Sequence, residues 1–147
     1  MQQRAKRRQI DGGSPWEDLA GYARAVVDGE WVFVSGTLGQ DFSTLEFPAT
    51  AAEQAELALD HIEAALEQVP ARWADVVRMR VYVPNRSDIA AVSDVIKRRL
   101  HPTRPTNTTV CCPLAVEEAK VEVEVTARLR GIGGNLPDNV HQGTSHS

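Results

Sequence analysis

DVVRMRVYV, residues 75–83, alternates between apolar and polar side chains. Successive residues of a β-strand point to opposite faces of the sheet, so this pattern predicts a strand with one buried and one polar face. The buried face would carry Val77, Met79, Val81 and Val83, and the polar face Arg78, Arg80 and Tyr82. AKVEVEVTARL, residues 119–129, repeats the pattern with Glu122 and Glu124 on its polar face. We therefore expect a sheet that is covered on one side only.

A hairpin and two helices complete this sheet. GYARAVV and EWVFVSG are apolar runs joined by Asp28-Gly29, a dipeptide that favours a tight turn. Apolar residues recur at helical spacing in residues 47–69 and 87–100, with Thr50 as the first predicted N-cap and Asn85 or Ser87 as the second. The element order predicts an α+β two-layer sandwich, with both helices on one face of a mostly antiparallel sheet. The polar face would meet water or an identical sheet in an oligomer.

Composition divides the chain into one domain and two tails. Residues 1–14 carry a basic cluster and end in glycines, which predicts a flexible basic arm. Residues 131–147 are rich in turn formers, which predicts a flexible C-terminal tail. Residues 15–130 are expected to form a single domain.

The overall charge and the cysteines exclude several classes of protein. A net charge of -4 makes a nucleic-acid partner unlikely. No apolar stretch is long enough for a membrane span, and no secretory signal is present, so we expect a cytoplasmic protein without a membrane partner. Cys111 and Cys112 are neighbours that would point to opposite strand faces, so an internal disulfide is not expected. The cysteines and histidines do not form a metal site.

Several polar residues lie on predicted strands. Glu122 points to the polar face, either as a solvated carboxylate or as part of a pocket. Asn107 and Thr109 share one strand face with Cys111, while Val110 and Cys112 would point toward the core. A pocket of amide, hydroxyl and carboxylate could orient water and a polar substrate.

Two residue types are poor nucleophile candidates. Cys111 has no neighbour that would activate its thiol. Ser35 and Gly36 end a strand without the surroundings of a nucleophile elbow, so we interpret them as turn or pocket wall.

Five motifs in order resemble the Rid family, the reactive-intermediate deaminases, also called the L-PSP endoribonuclease-like or enamine/imine deaminase family. The motifs are EWVFVSGTLG, AAEQAELALDHIEAAL, ADVVRMRVYVPNRSDIAAV, RPTNTTV and KVEVEVTA. The resemblance implies a chorismate-mutase-like fold and a homotrimer with ligand clefts between subunits. It also implies hydrolysis of an imine or enamine to a keto acid and ammonia, with no cofactor or metal.

The resemblance also assigns roles to residues. Glu122 matches the glutamate that orients water, and Tyr22, Ser35 and Gly36 match pocket positions. Thr109 stands where many members have a cysteine. Asn107 stands where the best-known members have the arginine that binds the substrate carboxylate.

Asn107 argues against the standard 2-aminoacrylate activity. Arginine offers a permanent charge and a bidentate fork, whereas asparagine offers one neutral amide donor group. Another cation could substitute, and we expect Arg24, which shares a strand face with Tyr22, to line the cleft; Arg104 is the second candidate.

Three functions remain open from the sequence. The first is a Rid-like hydrolase acting on a small-molecule imine, enamine or related carbonyl metabolite. The second is a trimer that binds a metabolite without converting it, which the loss of the arginine favours. The third is a ribonuclease or translation inhibitor, which only the basic N-terminal arm supports.

Overall fold

The computed structural model describes residues 7–130 as one sheet with helices packed on one side. In this range the strands are β1 (Arg7–Ile10), β2 (Ala25–Asp28), β3 (Trp31–Leu38), β4 (Val76–Tyr82), β5 (Thr106–Val110) and β6 (Glu122–Arg128). The helices are α1 (Pro15–Ala20), α2 (Ala51–Glu67) and α3 (Ile89–Leu100), with short 3-10 turns at Trp73–Asp75 and Arg86–Asp88. The predicted α+β class is confirmed.

The strands lie in the order β1-β2-β3-β6-β4-β5. Among the described strands, β4 and β5 pair in parallel, and the other neighbours pair antiparallel. The predicted hairpin joins β2 to β3, and Gly29 in its turn has a φ of 61°, which glycine adopts without strain. Strand β5 lies at the edge of the sheet, and every one of its residues is exposed.

Helices α2 and α3 cover one face and enclose the core. The apolar stripe of α2 is fully buried, with Leu59 and Ile62 at 0% exposure against Val81 and Val123 of the sheet. The helix begins at Thr50, whose side chain accepts the Glu53 N–H, as predicted.

The start of α3 differs slightly from the prediction. Asn85 caps the 3-10 turn that leads into α3 by accepting the Ser87 N–H, while the helix itself begins after Asp88.

Ion pairs outside the core join α3 to carboxylates of α2. Arg99 bridges Glu56 at 2.6 Å and Glu63 at 3.0 Å.

Two valines predicted to be buried are exposed. A register shift between Val76 and Arg78 adds Val77 as an extra residue in β4, so Val76 takes the buried position and Val77 is 38% exposed. Val110 is also 38% exposed, because it pairs with Tyr82 on the uncovered face instead of facing the helices. Cys112 is half-buried, and both cysteines are free, as expected.

The predicted flexible arm is wrong for residues 7–14. Arg7–Ile10 pair with β2, and the Arg8 guanidinium donates to the Val69 carbonyl at 2.7 Å. Ser14 then caps α1 in a capping box with Glu17.

Residues 1–6 and the predicted tail at 131–147 lie outside the described residues. Within residues 7–130, each helix is too short or too polar to span a bilayer.

Candidate functional site

A cavity of about 270 Å³ opens where β3 ends and β6 begins. Four predicted site residues line it together: Tyr22, Arg24, Gly36 and Glu122. Phe42 and Trp16 form further parts of its wall. Ser14 and Gln40, which the sequence prediction did not name, also line it, and we call it the carboxylate cavity.

Glu122 is the acidic residue that lines the carboxylate cavity. It is the first residue of β6 and pairs with Tyr82, so its side chain lies on the uncovered face of the sheet. Burial raises the pKa of its carboxyl, the neighbouring charge of Glu124 raises it further, and Arg24 opposes both effects. Such a carboxylate is more basic than a solvated one.

Gly36 provides the room for this carboxylate. A register shift in β3 between Val34 and Thr37 turns the chain at Ser35 and Gly36. A Cβ atom at position 36 would lie 2.5 Å from Oε1 of Glu122, which is too close for any real contact. The predicted wall position therefore has a steric reason to be glycine.

Arg24 lies in the same cavity but is bonded within the chain. It is only 2% exposed, and its guanidinium donates at 3.0 Å to the Gly36 carbonyl and to Oγ1 of Thr37. It pairs with buried Glu17 at 3.5 Å, and it contacts the hydroxyl of Tyr22 at 3.4 Å. Arg24 thus lines the cavity, with most of its donors already used within the chain.

Glu17 is a site residue that the sequence prediction missed. Its carboxylate accepts the N–H groups of Gly12 at 2.8 Å and Ser14 at 3.0 Å while it pairs with Arg24. Ser14-Pro15-Trp16-Glu17 is a capping-box sequence with proline at the first helical position. That signal would have predicted α1, and with it Glu17.

The remaining wall is formed by the loop after β3. The Phe42 ring stacks on His61 with centroids 3.8 Å apart, and Cζ of Arg24 lies 5.6 Å from the centroid of the same Phe42 ring. Nε2 of His61 lies 2.7 Å from the Gln40 carbonyl, and Nε1 of Trp16 donates to Oε1 of Gln40 at 3.0 Å. No periodic pattern marks such loop contacts in the sequence.

Ser35 has a structural role. Its hydroxyl donates to the Ala23 carbonyl at 2.7 Å, which ties β3 to the residues before β2. Ser35 does not line the carboxylate cavity, unlike the neighbouring Gly36.

Asn107 and Thr109 lie elsewhere. Asn107 pairs with Met79 and Thr109 with Val81, both on the helix-covered face, whereas Glu122 pairs with Tyr82 on the opposite face. Asn107 lines a second cavity of about 530 Å³ beside the C-terminal end of α3, which we call the edge cavity. Within one chain, the amide of Asn107 and the hydroxyl of Thr109 therefore do not lie beside the carboxylate of Glu122.

Glu124 shows how Glu122 differs from an ordinary strand carboxylate. Both lie on the same face of β6, but Glu124 accepts the Tyr82 hydroxyl at 2.6 Å and lies 4.0 Å from Arg80. The hydrogen bond to Glu124 raises the pKa of Tyr82. Glu122 instead faces the carboxylate cavity, so it is the carboxylate with space for a ligand beside it.

Comparisons with known proteins identify the family of this chain. The pattern of the family described as Endoribonuclease L-PSP matches residues 14–129. The RutC family protein UK114 of Drosophila melanogaster is 31% identical over 122 residues, covering 82% of this chain and 88% of the relative. A 2-iminobutanoate/2-iminopropanoate deaminase of Dermatophagoides farinae is 28% identical over 109 residues, covering 74% of this chain and 85% of that protein.

Solved structures share the fold. A YjgF/YER057c/UK114 family member from Mycobacterium tuberculosis superposes with a TM-score of 0.77 at 35% identity, covering 84% of this chain and 100% of that chain. E. coli TdcF with bound serine superposes with a TM-score of 0.70 at 28% identity, covering 74% of this chain and 88% of that chain. The chain therefore belongs to the Endoribonuclease L-PSP family, the same Rid family that its strand and helix motifs resemble.

Proposed function

We propose that this protein hydrolyses a reactive imine, enamine or related small carbonyl metabolite, with Glu122 as the catalytic base. The observation that carries the proposal is the carboxylate of Glu122, held above Gly36 in a small cavity where burial raises its pKa. Relatives named as imine deaminases support the reaction type. A raised carboxylate pKa suits a general base, since basicity grows while the group stays ionised near neutral pH.

The chemistry requires one water molecule and one proton acceptor. An enamine first tautomerises to its imine, and Glu122 then removes a proton from water while the oxygen attacks the imine carbon. Glu122 passes that proton to the nitrogen, which gives a carbinolamine. The proton of the new hydroxyl group then moves to the amino group through Glu122, so the C–N bond breaks and the products are a carbonyl compound and ammonia. Tyr22 closes the cavity, and Arg24 favours the ionised form of Glu122.

The complete site would lie between subunits of a homotrimer. Asn107 and Glu122 lie on opposite sheet faces of one chain, so Asn107 and Thr109 of a neighbouring subunit would supply the polar contacts. The uncovered face supports such assembly, because Phe33 is 46% exposed and Trp31 is 39% exposed beside charged residues. An apolar surface bordered by charges is typical of an interface between subunits.

Asn107 alters the expected substrate preference. A hydrogen bond to a charged partner is worth about 1.5–3 kcal/mol against about 1 kcal/mol for a neutral pair. Without a guanidinium at position 107, we expect small carboxylates such as 2-aminoacrylate to bind about tenfold or more weakly than in members that have the arginine.

We also place the protein in the cytoplasm, since Cys111 and Cys112 are both free thiols.

Imine hydrolysis by the purified protein tests the proposal. An amino-acid oxidase would generate imines from acidic, aliphatic and aromatic amino acids, and semicarbazide would trap the imine that remains. We expect faster loss of at least one imine than in buffer, and a decrease of about a hundredfold or more in Glu122→Gln. Glu30→Gln is the matched control, because Glu30 is exposed, pairs with Arg128 and does not line the carboxylate cavity. Equal turnover in Glu122→Gln and wild type would contradict the mechanism.

A second candidate function is binding of a metabolite without turnover. The exposed, neutral side chain of Asn107 favours it, because this position lacks the charged group of the active relatives. A ligand that binds tightly and is recovered unchanged, with no imine hydrolysed faster than in buffer, would replace the first proposal with this one.

A further inference from the structure

The edge cavity combines an apolar floor with a basic rim. It lies between strand β5 and the end of α3, and at about 530 Å³ it is the larger of the two cavities described above. Its floor is apolar, formed by Met79, Ile96, Leu100 and Pro105. Lys97 and Arg104 are exposed and form its rim, and the exposed Asn107 also lines it. Within residues 7–130, aspartate and glutamate are absent from its lining.

The two rim cations differ from their neighbours on α3. Arg98 and Arg99 are bound to carboxylates of α2, with Arg98 on Glu56 at 2.5 Å. In the described part of the chain, Lys97 and Arg104 form no ion pair within 4.0 Å. Asp94 shares a neighbouring surface depression with Lys97 but does not line the edge cavity. Lys97 and Arg104, the two cations without an ion pair in this part of the described chain, therefore both line the edge cavity.

Building on the proposed function, we propose that Arg104 and Lys97 bind the carboxylate of an anionic substrate whose apolar side chain lies on the floor of the edge cavity. The substrate class is the imine of a 2-oxo acid with a branched or larger apolar side chain. The guanidinium of Arg104 provides the paired N–H donors that Asn107 lacks, and the ammonium of Lys97 adds a second positive charge. Asn107 contributes a neutral donor at the boundary between the carboxylate and the apolar chain.

The apolar floor gives this substrate class its selectivity. Met79 is 1% exposed and Leu100 is 2% exposed, so the floor belongs to the core and cannot move aside easily. A substrate with only a methyl group would leave this surface uncovered, whereas a branched chain would remove it from water. We therefore expect tight binding to require both the carboxylate and the apolar side chain of the ligand.

Binding of α-ketoisocaproate, the product that such an imine would release, tests the proposal without any turnover. Titration by calorimetry or NMR would compare it with pyruvate, which has the carboxylate and a methyl group, and with its own methyl ester, which is neutral. We expect each of the two to bind at least about tenfold more weakly than α-ketoisocaproate. Equal binding of the ester would overturn the role of charge, and equal binding of pyruvate would overturn the role of the floor.

Charge-removal variants identify the residues. Arg104→Gln should weaken binding of α-ketoisocaproate at least about tenfold, Arg104→Lys should restore part of it, and Lys97→Gln should weaken it less. Arg72→Gln is the matched control, since Arg72 is exposed and does not line the edge cavity. If Arg104→Gln binds like wild type, the proposal is wrong even if Glu122 proves catalytic. If binding is lost in Arg104→Gln while no imine is hydrolysed, the recognition site stands and the proposed reaction fails.

Discussion

The carboxylate cavity and the edge cavity differ in how fully one chain satisfies their polar groups. In the first, Arg24 is bonded to Glu17, Gly36 and Thr37, and its walls are held by contacts from α1 and from the loop after β3. In the second, the strand that carries Asn107 is an exposed sheet edge, and the rim cations have no acidic partner in residues 7–130. The polar groups of the first cavity are held in place within the chain, which suits the catalytic role proposed for it, whereas those of the second have partners to gain, which suits the proposed recognition role.

Removing Arg24 should cause the largest loss of stability. Arg24→Met leaves Glu17 buried without a cation, and breaking a buried pair on one side typically costs about 3–5 kcal/mol. Denaturant unfolding would measure it, with Arg104→Gln of the open cavity expected to change stability by less than about 0.5 kcal/mol. Similar losses in the two variants would show that the two cavities are not built differently.

Adding a methyl group at Gly36 should affect turnover more than stability. The new Cβ would lie 2.5 Å from Oε1 of Glu122 and would displace the carboxylate. We expect Gly36→Ala to lower imine turnover by about a hundredfold, because small displacements of reacting groups have effects of this size.

A second glycine provides the control for this variant. Gly21 has a φ of 74° at the end of α1 and an open space around its Cβ position, so Gly21→Ala should cost about 1–2 kcal/mol of stability and leave turnover unchanged. Full turnover in Gly36→Ala would contradict the assigned position of the carboxylate.

The raised pKa of Glu122 predicts a pH dependence with a definite sign. Turnover needs the ionised form, so it should fall as pH drops through a value above that of an ordinary glutamate. Burial of the charge also costs stability above that pKa, so Glu122→Gln should be at least as stable as wild type at neutral pH. Turnover assays and thermal unfolding across pH would check both; a less stable variant would contradict the assigned cause of the pKa shift.

The smallest effect is expected at the ion pairs that hold Arg98 and Arg99 away from the edge cavity. The hydrogen bond from Arg99 lowers the pKa of Glu56, so the stability it contributes is present above the ordinary glutamate value and is lost as pH falls through the lowered pKa. The pair is partly exposed, so Glu56→Gln should cost less than about 1 kcal/mol, and less still at high salt. A salt-independent loss would argue for a packing role instead.

The fold followed from the sequence because its signals are periodic. The alternation in β4 and β6 and the stripe of α2 fixed the buried face, and Val77 was misplaced because an inserted residue in β4 reverses the alternation there. Glu122, Gly36 and Arg24 were predicted from strand position and resemblance. Glu17 was missed although the capping box of Ser14-Pro15-Trp16-Glu17 marks its helix, and Phe42 was missed because contacts of a loop leave no periodic signal.

The central claim is that Glu122 of one subunit acts together with Asn107 of its neighbour, and mixing of inactive variants tests it most directly. Glu122→Gln lacks the base, and Asn107→Trp fills the space in front of the edge strand. The two chains would be co-expressed with different tags, and oligomers that contain both would be purified and assayed for imine hydrolysis. In a ring of heterologous contacts, every trimer that contains both variants has one of its three sites with both native residues, so the account predicts about a third of wild-type turnover. Mixed oligomers as inactive as both parents would contradict a site shared between subunits.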